Sequence, residues 1–456
     1  MTDSQVLARH PLAIVGAIVT TVSAVLLIAL VIAILAGLLQ NPYAGLVVFV
    51  ALPLCFLLGL LLIPAGMALQ RRKLKRDPNA AVDWPVFDFR RAGVRRTALV
   101  IAGLTAANIV LVLLAGYGGL HWMESPRFCG QVCHTPMQVQ FAAWQGGPHA
   151  RVACVGCHIG EGPRAFVHAK LSGVRQLVQV ATNSYPRPIP PGAQMPAGAQ
   201  AQTCGSCHQP GRAVGDRMRD IREYADDEGN TETATVLQMH LSRTTTRPRG
   251  IHWHANPAIR IEYVSTDAER QTIPYVKVTN ANGQTKEFVA ADATEQAIRS
   301  GTRQAMDCID CHNTVGHPIA PTAEQAVDRA IAGGRVSREL PYVRREGLRL
   351  VKASYPSQDA ALRAIDQGLR GFYASHGGSA DPPTVTRTVT AFQDVYRRNV
   401  FPDMKVTWGS YPDNRGHVTS TGCFRCHDDS HKASDGSTIS ADCEFCHKQV
   451  EAEPRS

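Results

Sequence analysis

The amino-acid sequence predicts a three-helix transmembrane anchor followed by a mainly α and loop region with a small β-hairpin insertion. Three observations predict this fold. The first 120 residues contain three long stretches without a charged residue, the later region carries six cysteine pairs, and Asn282-Gly283 separates two alternating runs. With 13 cysteines, 38 glycines and 28 prolines in 456 residues, the chain is expected to rely on bound groups more than on one large apolar core.

The three uncharged stretches cover residues 12–39, 44–69 and 97–120. Each exceeds the roughly 20 residues that a helix needs to cross a bilayer. The h-region of a cleaved signal peptide is only about 7 to 15 residues long, so a signal peptide is the weaker alternative, as are buried core helices. Residues 1–120 therefore predict an anchor of three helices in the lipid bilayer.

The loop at residues 70–96 contains nine basic residues and only three acidic ones. Basic loops remain in the cytoplasm, which places the N-terminus in the cytoplasm and everything after residue 120 in the periplasm of a bacterial inner (cytoplasmic) membrane. Because much of the net charge of +9 comes from this loop, the charge does not indicate a nucleic-acid partner.

Each of the six cysteine pairs is followed directly by a histidine, which is the attachment pattern of c-type haem. In this pattern two thioethers hold the porphyrin and the histidine binds the iron. The motifs are motif 1 (Cys129, Cys133, His134), motif 2 (Cys154, Cys157, His158), motif 3 (Cys204, Cys207, His208), motif 4 (Cys308, Cys311, His312), motif 5 (Cys423, Cys426, His427) and motif 6 (Cys443, Cys446, His447). Motif 1 differs from the others because three residues separate its cysteines.

Disulfides and zinc sites are the alternatives for paired cysteines in an outward-facing region. Neither requires a histidine after every pair. The sequence therefore predicts six haem c groups, and a periplasmic region that is organised by haem.

No local spacing identifies the second ligand of each iron. Ten histidines of the predicted periplasmic region lie outside the motifs and are available for at most six places, so several must have ordinary roles. The sequence context favours His149, His252, His254, His317, His417 and His431 as candidate distal ligands, and Met123, Met137 and Met239 are thioether options. On a strand His252 and His254 would share one face, and one of the two is expected to bind iron.

The motifs divide the periplasmic region into segments. We predict a three-haem segment at 121–210, a strand-containing insertion at 211–300, a fourth haem segment at 301–320, a helical segment at 321–400 and a two-haem segment at 401–456. The insertion is predicted from alternating runs at 259–265 and 273–289. The helical segment is predicted from a capping box at Thr322 and Gln325 and from the helical spacing of Leu362, Ile365, Leu369 and Phe372, interpreted as packing.

The sequence from the third predicted span to Pro188 resembles the NapC/NirT family of membrane-anchored multihaem quinol dehydrogenases. The residues that carry this resemblance are Arg127-Phe128-Cys129, His134 with Met137, and the run from His149 to His158. The remainder is similar to the larger inner-membrane cytochromes of that family in metal-respiring bacteria. This likeness rests on Lys170-Leu-Ser-Gly173, Tyr185-Pro-Arg-Pro-Ile189, Gly250-Ile-His-Trp-His254 and residues 397–404.

The resemblance implies that the first haem lies at the membrane surface and takes electrons from menaquinol or another quinol. It also implies Met137 as an axial ligand and Lys170 at the quinol site. The chain departs from the family pattern in the extra residue of motif 1, and in placing Met137 three residues after His134 instead of two.

The expected function is therefore quinol dehydrogenation in anaerobic respiration, with electrons passing from the membrane quinol pool to periplasmic c-type cytochromes or a reductase. Two alternatives stay open. One is a multihaem terminal reductase of a small oxyanion, and the other is a haem subunit reduced by a separate membrane cytochrome.

Overall fold

The computed structural model describes residues 11–35, 51–76, 116–132, 134–159, 163–190, 200–208, 215–241, 250–376 and 381–450, with residue 47 and scattered residues between 90 and 114. The chain divides into two compact units, residues 1–134 and residues 135–456.

The first unit contains two long apolar helices, α1 (Pro11–Leu35) and α2 (Leu52–Arg76). Glycines allow these helices to pack closely. A Cβ atom at Gly16 would lie 2.8 Å from the carbonyl oxygen of Gly59, and one at Gly59 would lie 2.8 Å from the amide nitrogen of Thr20. Both helices are long and apolar enough to cross a membrane, over Pro11–Leu30 and Leu52–Gln70.

These two helices correspond to the first two predicted spans. Helix α2 differs from the prediction because it continues to Arg76, so the start of the predicted basic loop is helical. Arginine and lysine are good helix formers, which explains the continuation. The third predicted span, 97–120, lies mainly outside the described residues. Residues 116–123 at its end are helical, and a π-helical turn follows at Phe128–Val132.

The haem-motif part of the second unit begins with short helices. These are α3 (His134–Gln145), α4 (Cys154–His158), α5 (Pro163–Ala181) and α6 (Gln200–Gly205). Val139 and Ala143 of α3 form a small apolar cluster with Ile319, Phe401, Met404 and Val406. This cluster joins the beginning of the second unit to a later part of the chain.

The described residues form more strands than the sequence predicted for the hairpin insertion. The described residues form β1 (Asp216–Tyr224), β2 (Glu232–His240), β3 (Arg260–Ser265), β4 (Tyr275–Thr279), β5 (Thr285–Val289), β6 (Thr302–Ala305) and β7 (His447–Val450). They form two antiparallel sheets with the orders β1-β2-β7 and β5-β4-β3-β6. The region predicted to be periplasmic is therefore mixed helix and sheet instead of mainly α and loop.

The predicted hairpin is confirmed as β4 and β5, which pair from Tyr275 with Val289 to Thr279 with Thr285. Gly283 in its turn has a φ of 77°, which glycine adopts without steric cost. Helix α7 (Glu295–Ser300) and the turn α8 (Cys308–Cys311) flank β6. This sheet therefore leads directly into motif 4.

The predicted helical segment consists of α9 (Ala323–Ala332), α10 (Val343–Val351), α11 (Gln358–His376) and α12 (Pro382–Asn399). Thr322 caps α9, because its hydroxyl oxygen accepts a hydrogen bond from the Gln325 amide at 3.2 Å. Ile365 and Leu369 are fully buried in the core of this segment. The predicted apolar stripe is confirmed as helix packing.

Candidate haem centres

Motifs 2 to 6 each lie on a short helical turn. Motif 2 occupies α4 and the cysteines of motif 4 bound α8, while 3₁₀ turns at Gly422–Arg425 and Cys443–Phe445 carry motifs 5 and 6. The amide of His312 donates to the Cys308 carbonyl oxygen at 2.8 Å, and that of His208 to Cys204 at 2.7 Å. One turn of backbone thus brings each histidine near its first cysteine, as attachment to one porphyrin requires.

Among the described cysteines, the structure shows neither a disulfide bond nor a zinc site, the two alternatives that the sequence left open. Every cysteine that the structure describes is free of a disulfide bond. Within the same residues, no group of three or more histidine, cysteine, aspartate or glutamate side chains is placed to hold a metal ion. The cysteine pairs in the described part of the chain are accordingly available for thioether bonds.

Each motif histidine from motif 2 to motif 6 lies opposite a second histidine from another part of the chain. The ring centroids are separated by 6.0 Å in His158–His317, 6.0 Å in His208–His149, 6.3 Å in His312–His252, 5.8 Å in His427–His254 and 6.0 Å in His447–His417. No partner histidine is used twice. Five motifs therefore have five separate histidine partners.

These separations fit an iron atom between two imidazoles. A metal–imidazole bond is about 2.0 Å long, and the ring centroid lies roughly 1 Å behind the nitrogen, so two rings on one iron have centroids about 6 Å apart. The angle between the ring planes varies from 20° to 84°. Rotation about the iron–nitrogen bonds permits this range. The residues present fit a haem iron with two histidine ligands at each of the five motifs.

Hydrogen bonds hold several of these rings by Nδ1. His149 Nδ1 lies 3.1 Å from the Val315 carbonyl oxygen, His254 Nδ1 2.8 Å from Ile251, His317 Nδ1 2.9 Å from Gln140, and His427 Nδ1 2.8 Å from Ser440. A carbonyl oxygen accepts only from a protonated nitrogen, so these bonds favour the tautomer in which Nε2 carries the lone pair. Ligating histidines usually have this outer hydrogen bond.

Burial favours the chemical state that haem binding needs. Desolvation lowers the pKa of His254, His312 and His317, and therefore favours the neutral imidazole that binds metal. Burial also raises the pKa of the Cys308 thiol to about 12 and that of Cys426 to about 12. Motifs 4 and 5 thus lie in poorly hydrated surroundings, which suit the apolar face of a porphyrin.

His252 and His254 lie on a 3₁₀ turn, Ile251–Ala255, and not on a strand, where they would have shared one face. Gly250 precedes the turn with a φ of 103° and accounts for the change of direction. The turn separates the two rings, so that His252 lies opposite motif 4 and His254 opposite motif 5. Sequence analysis expected one of the two to bind iron, whereas both lie opposite a motif histidine.

His431 has a different environment from the other candidates. It is buried, and its Nδ1 lies 2.9 Å from Asp428 Oδ1 while its Nε2 lies 2.8 Å from the Ile273 carbonyl oxygen. Because both ring nitrogens have protein partners, His431 holds the loop of motif 5 against the second sheet. Of the motif histidines whose side chains the structure describes, none lies opposite His431.

Motif 1 and the predicted quinol site are only partly described. Cys129 Sγ lies 3.9 Å from the Met123 carbonyl oxygen, whereas Cys133 and the side chain of His134 fall outside the described residues. Met137 is a half-buried residue of α3. Lys170 belongs to α5, and its side chain also falls outside the described part. Ligation by Met137 and a quinol role for Lys170 stay predictions.

The motifs of the second unit form a connected series. Helix α6, which carries the first cysteine of motif 3, contacts both α4 of motif 2 and α8 of motif 4 and so links these three motifs. Arg425 of motif 5 donates to the main-chain oxygen of Asp310 in motif 4 at 2.7 Å. Burial and the nearby thiols of Cys423 and Cys446 raise the pKa of Cys311, so motifs 5 and 6 both lie close to motif 4. Electron transfer between neighbouring groups requires this kind of proximity.

A buried polar network, which was not predicted from the sequence, lies between motifs 4 and 5. Asp310, only 2% exposed, accepts a hydrogen bond from the Tyr263 hydroxyl at 2.6 Å and pairs with Arg270. Arg425 donates to the main-chain oxygen of Asp310 at 2.7 Å and to that of Arg270 at 2.9 Å. The sequence signal for this network is the charged residue between the two cysteines of motif 4, Asp310, and of motif 5, Arg425.

A similar protein of known type supports the assignment of haem motifs. The cytochrome c-type protein ImcH of Geobacter sulfurreducens is 34% identical over 449 residues, which cover 97% of this chain and 88% of that protein. No protein-family model matches the sequence, and no solved structure matches the chain. Identity at this level over nearly all of the chain, together with the haem motifs, shows that the chain belongs to the family of c-type cytochromes that includes ImcH.

Proposed function

We propose that this protein is a membrane-bound hexahaem c-type cytochrome that oxidises quinol at the outer face of the inner membrane. Its haems then pass the electrons to a periplasmic acceptor. The observation that carries the proposal is the set of five histidine pairs, one at each motif of the second unit, with centroids 5.8 to 6.3 Å apart. The two apolar helices of the first unit support the membrane location.

The pairs assign a distal ligand to each of five irons. In this proposal the ligands of motifs 2 to 6 are His317, His149, His252, His254 and His417, in that order. An iron with two histidine ligands accepts and releases one electron without binding a substrate. The protein contributes rigid imidazoles, neutral rings and closely spaced motifs. His431 is not included because both of its nitrogens are bound to protein groups.

Quinol oxidation is assigned to motif 1, the motif that follows the predicted third span most closely. This part of the proposal rests on the sequence and on the resemblance to NapC/NirT proteins. Met137 would complete the first iron site, and the ammonium group of Lys170 would stabilise a partly deprotonated quinol. Electrons would then move through the connected series from motif 2 to motif 6.

The histidine pairs also bear on the two alternatives. A reductase of a small oxyanion needs an iron with an open coordination position. Five motifs have a paired histidine, which leaves motif 1 as the place for such a position in this proposal. Reduction by a separate membrane cytochrome makes a different prediction, because the purified chain would then be inactive with quinol alone.

Reconstitution in liposomes tests the proposal. The purified chain should contain six haem c groups, and a menaquinol analogue should reduce them with no other subunit present. Lys170→Gln should slow this reduction at unchanged haem content, whereas Lys352→Gln, at an exposed lysine of the helical segment, should not. A fully loaded chain that no quinol reduces would refute quinol oxidation, and nitrite turnover by that chain would support the reductase alternative.

A further inference from the structure

Arg425 of motif 5 joins three segments of the chain. Of the six motifs, motif 5 alone has a basic residue between its two cysteines. The half-buried guanidinium donates to three main-chain oxygens, from Nε to Gly422 at 2.7 Å, from Nη1 to Arg270 at 2.9 Å and from Nη2 to Asp310 at 2.7 Å. These acceptors belong to the turn of motif 5, the loop between β3 and β4, and the turn of motif 4. One side chain therefore connects the attachment turns of two motifs.

The segments that hold Arg425 are also bound to each other. Asp310 Oδ1 accepts a hydrogen bond from the Tyr263 hydroxyl at 2.6 Å and pairs with Arg270, while Asp310 Oδ2 accepts one from the Asp307 amide at 2.7 Å. Asp310 and Tyr263 are only 2% and 1% exposed, so water competes little for these bonds. The carbonyl oxygens that bind Arg425 are therefore fixed in position.

The positive charge of Arg425 lies next to both attachment turns without a carboxylate of its own. In the part of the chain that the structure describes, Asp310 pairs with Arg270, and no carboxylate lies within ion-pair distance of Arg425. Carbonyl oxygens satisfy its N–H donors but do not neutralise its charge. Arg425 directly precedes Cys426, and Asp310 directly precedes Cys311. The charge thus lies between the places where two porphyrins attach.

We propose that Arg425 is a positioning residue of the haem series, which joins the turns of motifs 4 and 5 and holds a positive charge between their haems. This inference rests on the proposed function only through the presence of these two haems. A guanidinium has a rigid fork of five N–H donors and remains charged at every accessible pH, whereas the ammonium group of lysine is a point charge. A positive charge stabilises a nearby haem that has gained an electron, most strongly where water is scarce. Arg425 therefore favours the arrival of electrons at motifs 4 and 5.

Redox titration with chemical mediators tests the inference without any quinol. Arg425→Gln removes the charge and should lower the midpoint potentials of two haems, each by about a tenfold change in the ratio of reduced to oxidised haem, or about 59 mV. Arg425→Lys keeps the charge without the three-way connection and should recover part of both shifts. The matched control, Arg363→Gln at an exposed arginine of α11, should shift no midpoint.

Asp310→Asn provides a readout that a loss of packing would not produce. This variant removes a negative charge from the same network at nearly constant size, so it should raise the midpoint potential of the motif 4 haem, opposite to the effect of Arg425→Gln. The haems of motifs 4 and 5 should stay low spin in each variant, because neither side chain binds iron. Unshifted midpoints in a haem-loaded Arg425→Gln chain would overturn the inference, as would shifts of the same sign in Arg425→Gln and Asp310→Asn. Failure of quinol to reduce the wild-type protein would refute only quinol oxidation.

Discussion

The helical segment and the motif-bearing turns of the second unit are stabilised in different ways. In the helical segment, residues 321–400, a continuous apolar core includes Ile365, Leu369 and Phe392, none of which has any exposed surface. By contrast, no apolar side chain is fully buried among the described residues of 151–208 and 407–450. These two stretches contain motifs 2, 3, 5 and 6.

This difference indicates that the haems have a structural role as well as a redox role. Burial of apolar surface is the main favourable contribution to folding, and the motif-bearing turns bury little of it by themselves. A porphyrin attached by two thioethers and two imidazoles would supply both apolar surface and crosslinks. The helical segment needs no such addition.

The largest effect should come from removing the haems. If the chain is produced in a host without cytochrome c maturation, limited proteolysis should cut the turns at 151–208 and 407–450. The helical segment should be protected, because its core contains no haem motif. Mass spectrometry of the fragments would show this, with the haem-loaded chain as the control. Motif turns that resist protease equally well without haem would contradict the comparison.

A smaller effect should come from a cavity in the helical core. Phe392→Ala removes a fully buried ring and should lower the free energy of unfolding of this segment by about 3 to 5 kcal/mol. The haem absorption spectrum should stay unchanged because the ring contacts only the helical core. Thr390→Ala, at an exposed position of the same helix, should change the free energy by less than about 0.5 kcal/mol. Parallel loss of the haem spectrum in Phe392→Ala would mean that the two regions depend on each other.

The smallest effect concerns pH. Burial raises the pKa of Tyr396 to about 12 and also raises that of Tyr373, both in the helical segment. A folded-state pKa above the unfolded value of about 10 means that the protonated phenol contributes stability below pH 10, which is lost as pH rises toward 12. Tyr396→Phe should therefore shift the alkaline unfolding midpoint of this segment upward. Circular dichroism would measure it, and a midpoint that stays or falls would contradict this explanation.

The elements that the sequence predicted correctly have local signals. The β4–β5 hairpin follows from Asn282-Gly283 and two alternating runs, and α9 follows from the cap at Thr322. Strand β1 lacks such a signal, since its first five residues are all exposed and its sequence does not alternate. It forms because it pairs along its whole length with β2, and β2 in turn pairs with β7 beside motif 6. Pairing between distant segments leaves no local pattern.

The same distinction applies to the candidate site. The haem attachment residues of each motif are neighbours in sequence, so spacing alone predicts them. A candidate distal ligand such as His317 reaches His158 only through the tertiary fold, which no local spacing encodes. His431 illustrates the limit, because its closeness to motif 5 in sequence favoured ligation while both of its nitrogens bind protein groups.

Single variants of the haem-loaded chain test most directly whether the five histidine pairs hold five irons. Absorption and EPR spectra would be recorded for His149→Ala, His252→Ala, His254→Ala, His317→Ala and His417→Ala, with His431→Ala as the matched control. We predict that each of the first five converts one of six haems from low spin to high spin, and that His431→Ala converts none. A high-spin haem in His431→Ala, or an unchanged spectrum in any of the five, would contradict the assignment.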